Sequence, residues 1–508
     1  MTREQPTSLR ILFLSAEVFP YAKTGGLADV AGSLPKAIHR LGHDIRVIMP
    51  RYGFIDPGRW QLREIVSDLP VPFGDRVERA RVYGTEHNGV PVYMVDNPRF
   101  FDRENIYAYP DDAERFIFFS RSALELARHF NWRPHIVHCN DWHTALVPNW
   151  LRTVYQKQTF WQATRTVYTI HNLAYQGVFD ARVLYVAGLA DQGLIVHPEL
   201  PHWRDVVHFM ARGIIFADMI TTVSPRYAQE ILTPEFGAGL DPLLQDRAEN
   251  LVGILNGIDV DVWNPATDPF ISRTYDVTRL AQRHANKRAL QQKAELPVED
   301  TVPLMGFIGR LTEQKGVDIL IQVAEDVARH LGGQVVILGT GEEKWHRLIQ
   351  ETVTRYPRHI RAFLTFNNPM AHAIYAGVDM LLMPSRFEPC GLNQMIAMRY
   401  GAVPVVRAVG GLADTVHDFD PRQGTGNGFT FVPYEKTAFL TAVVRAVEHW
   451  KCDNTWRALQ QRGMQTDFSW ARSARAYVDV YHRALQTPGE IPPHLREKLS
   501  YMPLEEGA

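Results

Sequence analysis

Short apolar runs rich in β-branched residues alternate along this chain with longer segments of helical periodicity. The first run lies at 11–15, a helical pattern follows at about 27–41, and a second run lies at 45–49. This order predicts a βαβ unit. Runs of the same kind recur at 136–138, 166–170, 219–223 and 251–255. Continuously apolar strands separated by helices indicate a mostly parallel sheet covered on both faces.

The pattern begins again near Val302, which predicts a second domain of the same class. Its apolar runs lie at 304–308, 334–338, 362–365, 380–383 and 403–406. We therefore expect an α/β chain with two doubly wound domains in tandem and a linker at 256–265. Open parallel sheets bind ligands at the carboxyl ends of their strands, so the chemistry of both domains is expected there.

Composition narrows the class of protein. A chain of 508 residues exceeds what one hydrophobic core usually serves. Its 54 Lys and Arg against 56 Asp and Glu give no reason to expect nucleic acid or a membrane surface as a partner. The 3 scattered cysteines fit neither a disulfide framework nor a zinc cluster, and the apolar run at 11–16 is too short for a signal or spanning segment. We expect a cytoplasmic protein.

A cationic turn follows the first strand of each domain. In the first turn, Lys23 precedes Gly25 and Gly26 at the start of a helix, where a glycine backbone and free N–H groups suit an anion. In the second, Arg310 and Lys315 combine a forked guanidinium with a mobile ammonium, which suits a diphosphate. Taken alone, the first is also readable as a tight strand-to-helix turn and the second as two solvated surface cations.

A carboxylate, Glu388, lies shortly after the apolar run at 380–383. In that position it can bind sugar hydroxyls or stabilise a developing positive charge, or it can cap the helix that follows. Downstream, Gly410 and Gly411 precede another helix. They form either a second backbone cradle for phosphate or sugar, or a further tight turn.

Histidines and an aspartate cluster at one strand end of the first domain. We predict no metal site among His135, His138, Asp141 and His143, because no spacing here matches a helical or knuckle ligand set. Side chains at adjacent strand and turn positions also diverge. Their polar groups suit sugar hydroxyls better, and a satisfied core role for His138 stays open.

Taken in order, the motifs resemble those of the bacterial glycogen synthase and plant starch synthase family, over nearly the whole chain. They read Lys-Thr-Gly-Gly-Leu, Asp-Trp-His, His-Asn-Leu-Ala-Tyr-Gln-Gly, Leu-Asn-Gly-Ile-Asp, Arg-Leu-Thr-Glu-Gln-Lys-Gly, Pro-Ser-Arg-Phe-Glu-Pro-Cys-Gly-Leu and Gly-Gly-Leu-Ala-Asp-Thr-Val. The resemblance implies the GT-B fold, with two Rossmann-like doubly wound domains facing across a deep cleft. With it we predict an acceptor-side domain over 1–260, a nucleotide-sugar donor domain over 261–466, and a helical segment over 467–508 that crosses back to the first domain.

The resemblance also implies a reaction. Family members transfer glucose with retention from a nucleotide sugar to the 4-hydroxyl at the non-reducing end of an α-1,4-glucan such as glycogen, with no metal or other cofactor. ADP-glucose is the expected donor, and ADP the expected product. The alternatives are UDP-glucose as donor, a different acceptor, or a catalytically weak glucan-binding or priming protein.

By motif, the predicted catalytic residues are Glu388, Arg310, Lys315, His171 and Asp141. Glu388 resembles the family's essential carboxylate on the donor glucose, and Arg310 and Lys315 resemble its diphosphate clamp. His171 is expected to orient the sugar, and Asp141 to lie around the reacting glucose. The expected mechanism is front-face substitution through an oxocarbenium-like state, in which a leaving phosphate oxygen takes the acceptor proton.

The residues that the resemblance assigns to binding fall into two groups. Donor phosphates are assigned to the cationic and glycine-rich turns, namely Lys23, Gly25, Gly26, Arg310, Lys315, Gly410, Gly411, Leu412 and Thr415. The sugar and nucleoside are assigned to Asn172, Cys390, Gly391, Leu392 and Phe366.

Two segments depart from the family pattern. Where many members read Asn-Phe-Leu-Lys, this chain has His-Phe-Met-Ala at 208–211, and Arg212 is a candidate to supply the missing charge one residue along. At 363–368, where relatives often carry Gly-Tyr and an acidic residue, Phe366 can stack on a base as a tyrosine would but offers no hydroxyl. The choice of base is therefore less determined than the sugar chemistry.

Overall fold

Each apolar run that predicts a strand forms one in the computed structural model, which describes residues 8–200 and 205–504. Its contacts divide the chain into two units, unit 1 (Met1–Gly257 and Trp470–Ala508) and unit 2 (Ile258–Ser469). Both are α/β, which confirms the predicted class. The roles assigned to the domains, acceptor side and donor side, stay predictions.

Unit 1 is built on a 9-stranded sheet. The strands of unit 1 up to residue 257, three of which (β8, β9 and β10) lie outside this sheet, are in chain order β1 (Arg10–Leu14), β2 (Asp44–Pro50), β3 (Arg63–Phe73), β4 (Arg76–His87), β5 (Val90–Asp96), β6 (Ile136–Asn140), β7 (Arg165–Ile170), β8 (Val178–Asp180), β9 (Leu194–Val196), β10 (Val206–His208), β11 (Met219–Thr222) and β12 (Leu251–Gly253). The order across the sheet is β12-β11-β7-β6-β1-β2-β5-β4-β3. Pairing is parallel from β12 to β5, whereas β4 pairs antiparallel with β5 and β3, and β8 pairs antiparallel with β10 outside the sheet.

The antiparallel edge of this sheet was not predicted, because its strands lack continuous apolar runs. In β3, the buried residues Val66, Leu69, Val71 and Phe73 are interrupted by exposed residues, so only one face of the strand is covered. Strands with a solvated face alternate in polarity, unlike the fully buried parallel strands on which the prediction relied. The sheet is therefore mixed.

The helices of unit 1 up to residue 257 pack on this sheet, and the predicted position of α1 among them is confirmed. They are α1 (Gly26–Arg40), α2 (Pro98–Phe101), α3 (Asp112–His129), α4 (Leu146–Arg152), α5 (Val183–Ala187), α6 (Phe209–Phe216), α7 (Pro225–Glu230) and α8 (Asp241–Asp246). Helix α1 buries Leu27, Val30, Leu34 and Ile38, which recur at three and four residues and so lie on one face. Helix α1 packs beside β2. The turn that precedes α1 follows β1 in the chain and so lies at the carboxyl end of that strand.

Unit 2 contains a smaller sheet that is parallel throughout. Its strands are β13 (Leu304–Ile308), β14 (Gln334–Leu338), β15 (Ile360–Phe363), β16 (Met380–Met383), β17 (Val403–Arg407) and β18 (Phe429–Phe431), in the order β15-β14-β13-β16-β17-β18. Its helices are α9 (Arg283–Lys293), α10 (Val317–Asp326), α11 (Glu343–Arg355), α12 (Asn368–Gly377), α13 (Asn393–Arg399), α14 (Gly410–Thr415), α15 (Lys436–Trp450) and α16 (Asp453–Gln465). Because β13 and β16 are adjacent, the segments that follow them emerge side by side.

The chain returns to unit 1 through α17 (Trp470–Gln486), α18 (Pro493–Lys498) and β19 (Ser500–Met502). Helix α17 buries an apolar and aromatic stripe against α1 and β7, at helical spacing, formed by Trp470, Ala474, Tyr477, Tyr481 and Ala484. Strand β19 pairs antiparallel with β9. No helix in the described ranges 8–200 and 205–504 is long and apolar enough to cross a membrane.

A buried line of polar side chains joins α17 to the sheet. The Tyr481 hydroxyl lies 2.8 Å from His138 Nδ1, His138 Nε2 lies 2.6 Å from the Thr169 hydroxyl, and that hydroxyl lies 2.6 Å from the Thr221 hydroxyl. The core role for His138 is thus confirmed. Burial lowers the pKa of His138 to about 3, so the imidazole is neutral in the folded chain.

Unit 1 is expected to lose stability as the pH falls below 6.5. An unfolded chain protonates His138 near its ordinary pKa of 6.5 but the folded chain only near 3, so the unfolded state binds more protons between these values. The contribution lost is up to about 1.4 kcal/mol per pH unit. In thermal unfolding monitored at several pH values, His138→Gln should be less stable than wild type at pH 7.5, yet its Tm should fall less on acidification. An equal fall in both proteins would contradict this assignment.

Candidate active site

The predicted carboxylate and the predicted clamp lysine of unit 2 form an ion pair. Lys315 Nζ lies 2.8 Å from Glu388 Oε1 and 2.6 Å from Oε2, and the Ser385 hydroxyl donates to Oε2 at 2.9 Å. Glu388 is 5% exposed. Lys315 ends the turn after β13 and Glu388 lies in the loop after β16, so the adjacency of these parallel strands creates the pair. An ammonium held against a carboxylate is a site whose cation can exchange one anion for another.

Backbone contacts fix the two loops against each other. The Arg386 N–H donates to the Gln314 carbonyl at 2.8 Å. Gly316 has φ of +73°, and a Cβ there would lie 2.0 Å from the Pro384 carbonyl oxygen, so only glycine allows this approach. The Arg310 guanidinium, half-buried, extends to the Gln314 side chain at 3.5 Å. Arg310 and Lys315 therefore flank one turn, and their role as a diphosphate clamp stays a prediction.

The second glycine turn packs against the same loop. The Gly411 N–H donates to the Glu388 and Pro389 carbonyls at 3.2 Å each, and the Thr415 hydroxyl donates to the Gly411 carbonyl at 2.6 Å. A Cβ on Gly410 would lie 2.0 Å from the Glu388 carbonyl oxygen. The first structural requirement for these glycines is therefore close packing on the carboxylate loop, and their predicted contact with phosphate stays a prediction.

Gln394, which the sequence did not single out, locks this packing. Its buried side-chain amide donates to the Cys390 carbonyl at 3.1 Å, to the Gly391 carbonyl at 2.9 Å and to the Thr415 hydroxyl at 3.1 Å. One amide thus joins the loop after β16 to α14. Gln394 lies at the start of α13, on the face towards the loop. The spacing of residues in the sequence alone does not predict this position.

The remaining predicted residues of unit 2 differ from one another in how far they are buried. Cys390 is buried and forms no disulfide, and Leu392, the second residue after it, is half-buried. The Leu412 side chain is fully buried and its N–H donates to the Val409 carbonyl at 3.0 Å. Phe366 follows the edge strand β15 and is 74% exposed. A base-stacking role for Phe366 stays a prediction.

In unit 1, Asp141 and His171 lie together at the ends of the adjacent strands β6 and β7. Asp141 Oδ1 accepts the His171 backbone N–H at 2.8 Å, and His171 Nε2 lies 2.9 Å from Asn140 Oδ1. Asp141 has φ of +54°, a left-handed conformation uncommon for a residue other than glycine and often found at functional sites. Asn172 follows directly, half-buried, with its side-chain oxygen accepting the Ala174 N–H at 3.1 Å.

Burial sets the charge states of this pair. It raises the pKa of Asp141 to about 7, against the opposing effect of the His171 and Asn172 backbone N–H groups. It lowers the pKa of His171 to about 3, so that the imidazole is neutral. A neutral imidazole and a carboxyl that titrates near neutrality suit hydrogen bonding to sugar hydroxyls. Among the residues described, no group of three or more His, Cys, Asp or Glu side chains is placed to hold a metal ion.

Two carboxylates, those of Asp29 and Glu17, bind the turn that carries Lys23. Lys23 Nζ lies 2.6 Å from Asp29 Oδ1, and Glu17 Oε2 accepts the backbone N–H groups of Thr24 at 2.5 Å and Gly25 at 3.0 Å. A Cβ on Gly25 or Gly26 would meet no atom within 4 Å. These glycines therefore face open space, which is what a backbone needs if a ligand is to approach it.

Glu17 was not predicted as a site residue, although its position directly after a predicted strand indicates one. It lies just beyond β1, next to β6 in the sheet, in the same kind of position as Asp141. A search for acidic residues directly after every predicted strand would have found it. Its partner Tyr107, 90 residues away, could not be found in this way.

An open cavity of about 470 Å³ lies beside the His171 segment, within unit 1. Aromatic rings of Tyr109, Trp142, Tyr175 and Phe179 contribute to its lining, together with the polar side chains of Asp112 and Gln176. Mixed aromatic and polar linings are typical of small-molecule sites. Gly177, with φ of +63°, lies on the Trp142 ring, since a Cβ there would be 2.6 Å from it.

Arg212, the candidate for a displaced family charge, is 3% exposed. Its guanidinium donates to Asn149 Oδ1 at 2.8 Å and to the Gly193 carbonyl at 2.7 Å. Burial lowers its pKa to about 10. The cation is therefore engaged inside unit 1 by an amide and a backbone oxygen.

Two families of known proteins match successive parts of the chain. The family described as starch synthase catalytic domain matches residues 10–246, and glycosyl transferases group 1 matches residues 289–462. The glycogen synthase of Desulforudis audaxviator is 45% identical, covering 95% of this chain and 98% of the relative. The glycogen synthase of Thermotoga maritima is 43% identical, covering 95% of this chain and 100% of the relative.

Solved structures give the same picture. The catalytic domain of starch synthase IV from Arabidopsis thaliana, solved bound to ADP and acarbose, superposes with a TM-score of 0.88 at 37% identity, covering 94% of this chain and 100% of that one. The sucrose-phosphate synthase of Thermosynechococcus elongatus gives a TM-score of 0.60 at 17% identity, which shows a shared fold alone.

Alanine substitutions in the two glycine turns should differ in their effect on the free energy of unfolding. At Gly25, with φ of −149° and open space around a Cβ, alanine should change the free energy of unfolding by no more than about 1 kcal/mol. At Gly411, where a Cβ would lie 2.1 Å from the Cys390 carbonyl oxygen, alanine should destabilise by about 1–3 kcal/mol. Chemical denaturation of both variants measures the difference, and equal stabilities would contradict the assignment of Gly411 to packing.

Proposed function

Because this chain belongs to the glycogen synthase and starch synthase family, we propose that it transfers glucose from ADP-glucose to the non-reducing end of an α-1,4-glucan, with retention of configuration. The observation that carries the proposal is the ion pair between Lys315 and Glu388, beside Arg310, at the ends of adjacent parallel strands. This is the place in an open α/β sheet where a nucleotide sugar is expected.

The proposed chemistry of unit 2 follows from charge. When the glycosidic bond to phosphate breaks, negative charge develops on the diphosphate and positive charge on the glucose. Lys315 and Arg310 stabilise the diphosphate, while Glu388 accepts hydrogen bonds from the glucose hydroxyls or faces its developing charge. Binding of the donor then requires Lys315 to exchange part of its contact with Glu388 for phosphate oxygens.

The proposed role of unit 1 is to orient the glucose and to hold the acceptor. His171 is neutral and Asp141 lies against its backbone, so both are suited to hydrogen bonds with sugar hydroxyls. A leaving phosphate oxygen takes the proton of the acceptor 4-hydroxyl. The aromatic cavity beside His171 offers the flat apolar faces and the few polar groups that glucose rings require.

ADP-glucose is favoured over UDP-glucose as donor because the Arabidopsis relative, similar over 94% of this chain, was solved with ADP. We further propose that transfer needs neither metal nor cofactor, since the two cations of unit 2 supply the countercharge for the diphosphate. A cytoplasmic location is also proposed, and a reducing compartment is supported by the three cysteines, none of which forms a disulfide.

Initial rates with ADP-glucose and with UDP-glucose, each with and without glycogen, test the proposed function. The expected result is glucan growth from ADP-glucose that depends on glycogen, at a rate well above that from UDP-glucose. Growth from UDP-glucose alone would correct the donor. Binding of glycogen with no transfer from either donor would favour a glucan-binding protein and overturn the proposal.

Replacing Lys315 by Gln should lower kcat with ADP-glucose by about 100-fold, because a charge that stabilises the leaving diphosphate is lost. The matched control is Lys451→Gln, since Lys451 forms an exposed ion pair with Glu448 at 2.7 Å elsewhere in unit 2. Steady-state kinetics on both variants measure the effect. Wild-type turnover in the Lys315 variant would remove this lysine from the reaction.

A further inference from the structure

Glu17 is a buried carboxylate, 4% exposed, that uses one oxygen on a surface turn and the other on Tyr107. Oε2 accepts the Thr24 N–H at 2.5 Å and the Gly25 N–H at 3.0 Å, and Oε1 accepts the Tyr107 hydroxyl at 2.6 Å. Hydrogen bonds to an ionised acceptor are among the strongest in proteins. One side chain therefore links the turn before α1 to the segment before α3.

Packing contributes little to the position of this turn. Lys23 and Thr24 are exposed, and a Cβ on Gly25 or Gly26 would meet no atom within 4 Å. Lys23 makes the other side-chain contacts of the turn. It forms an ion pair with Asp29, whose side chains are 30% and 29% exposed, and its ammonium lies 5.6 Å from the centre of the Phe19 ring; partly exposed contacts of these kinds are weak. The carboxylate of Glu17 is thus the strongest restraint on the turn.

The occupied N–H groups also bear on how the turn meets a ligand. While Glu17 accepts from Thr24 and Gly25, those two donors point at the protein's own carboxylate. Contact with a donor phosphate then falls to the Lys23 ammonium and to the first turn of α1. Both depend on the path of the backbone at Thr24 and Gly25.

We propose that Glu17 is a positioning residue for glucosyl transfer, which holds the Lys23 turn in the conformation that meets the donor phosphates. Tyr107 fixes the carboxylate from its other side and acts through it. This inference rests on the proposed function, because it requires a nucleotide-sugar donor. It gives Glu17 a role in the use of the donor and none in the binding of the acceptor. It predicts that loss of the carboxylate impairs use of the donor while leaving the interaction with glucan intact.

Two substitutions separate the hydrogen bonds. In Glu17→Gln, the amide carries no charge and has one acceptor oxygen, so it cannot accept from both sides, and the bond that it keeps is no longer charge-assisted. In Tyr107→Phe, only the bond to Oε1 is lost. The matched control is Tyr155→Phe, which removes a bond of the same type, at 2.5 Å to Glu125, elsewhere in unit 1.

The experiment combines kinetics with hydrogen exchange of the full-length protein. In Glu17→Gln we expect kcat/KM for ADP-glucose to fall at least about tenfold, with KM for glycogen within about twofold of wild type, since misplacing a contact by a fraction of an ångström has effects of this size. The amides of the turn peptide should exchange faster, with Tyr107→Phe changing in the same direction and Tyr155→Phe unchanged in both readouts.

Wild-type kcat/KM in Glu17→Gln would overturn the proposal, and so would a loss of activity with unchanged exchange in the turn. If Glu17→Gln does not fold, Tyr107→Phe gives the same decision. The exchange readout does not depend on turnover. Should the wild type transfer no glucose, the proposed function would fall, whereas the exchange difference would still show whether Glu17 holds the turn.

Discussion

Parallel pairing places the carboxyl ends of neighbouring strands at one edge of a sheet, and both polar clusters depend on this constraint. In unit 1 the adjacent strands β1, β6 and β7 deliver Glu17, Asp141 and His171 to that edge. In unit 2 the adjacent strands β13 and β16 deliver Lys315 and Glu388, which lie 73 residues apart in sequence and 2.6 Å apart in space. The apolar runs that form the buried strands therefore also determine which polar residues come together.

A second feature common to both units is that donors suited to an anion are already engaged by carboxylates. Glu388 neutralises Lys315, Asp29 neutralises Lys23, and Glu17 accepts two backbone N–H groups. A partly buried cation without a partner costs free energy, so these carboxylates stabilise the ligand-free chain. At Lys315 and Lys23 a diphosphate must compete with these carboxylates for the cation, which relates the stability of the two ion pairs to the affinity for the ligand.

The sequence was sufficient for most of the parallel strands, although not for β5 and β18, and for the positions of the motifs and the family, because each depends on local pattern. Continuous apolar runs predicted β1, β6 and β13 within a residue or two, whereas β3 and β4 were missed because their exposed faces interrupt the pattern. Pairings such as Glu17 with Tyr107 or Gln394 with Thr415 arise only when distant segments fold together. The same holds for the burial that raises the pKa of Asp141 to about 7.

In the ligand-free chain, Glu388 pairs with Lys315 at the position where a diphosphate is proposed to bind. Titration calorimetry of ADP binding to the wild type and to Glu388→Gln tests it directly. The variant should bind ADP several-fold more tightly, since its lysine no longer has a carboxylate partner, although turnover is lost. Unchanged or weaker binding of ADP by Glu388→Gln would show that Glu388 does not compete with a diphosphate for Lys315.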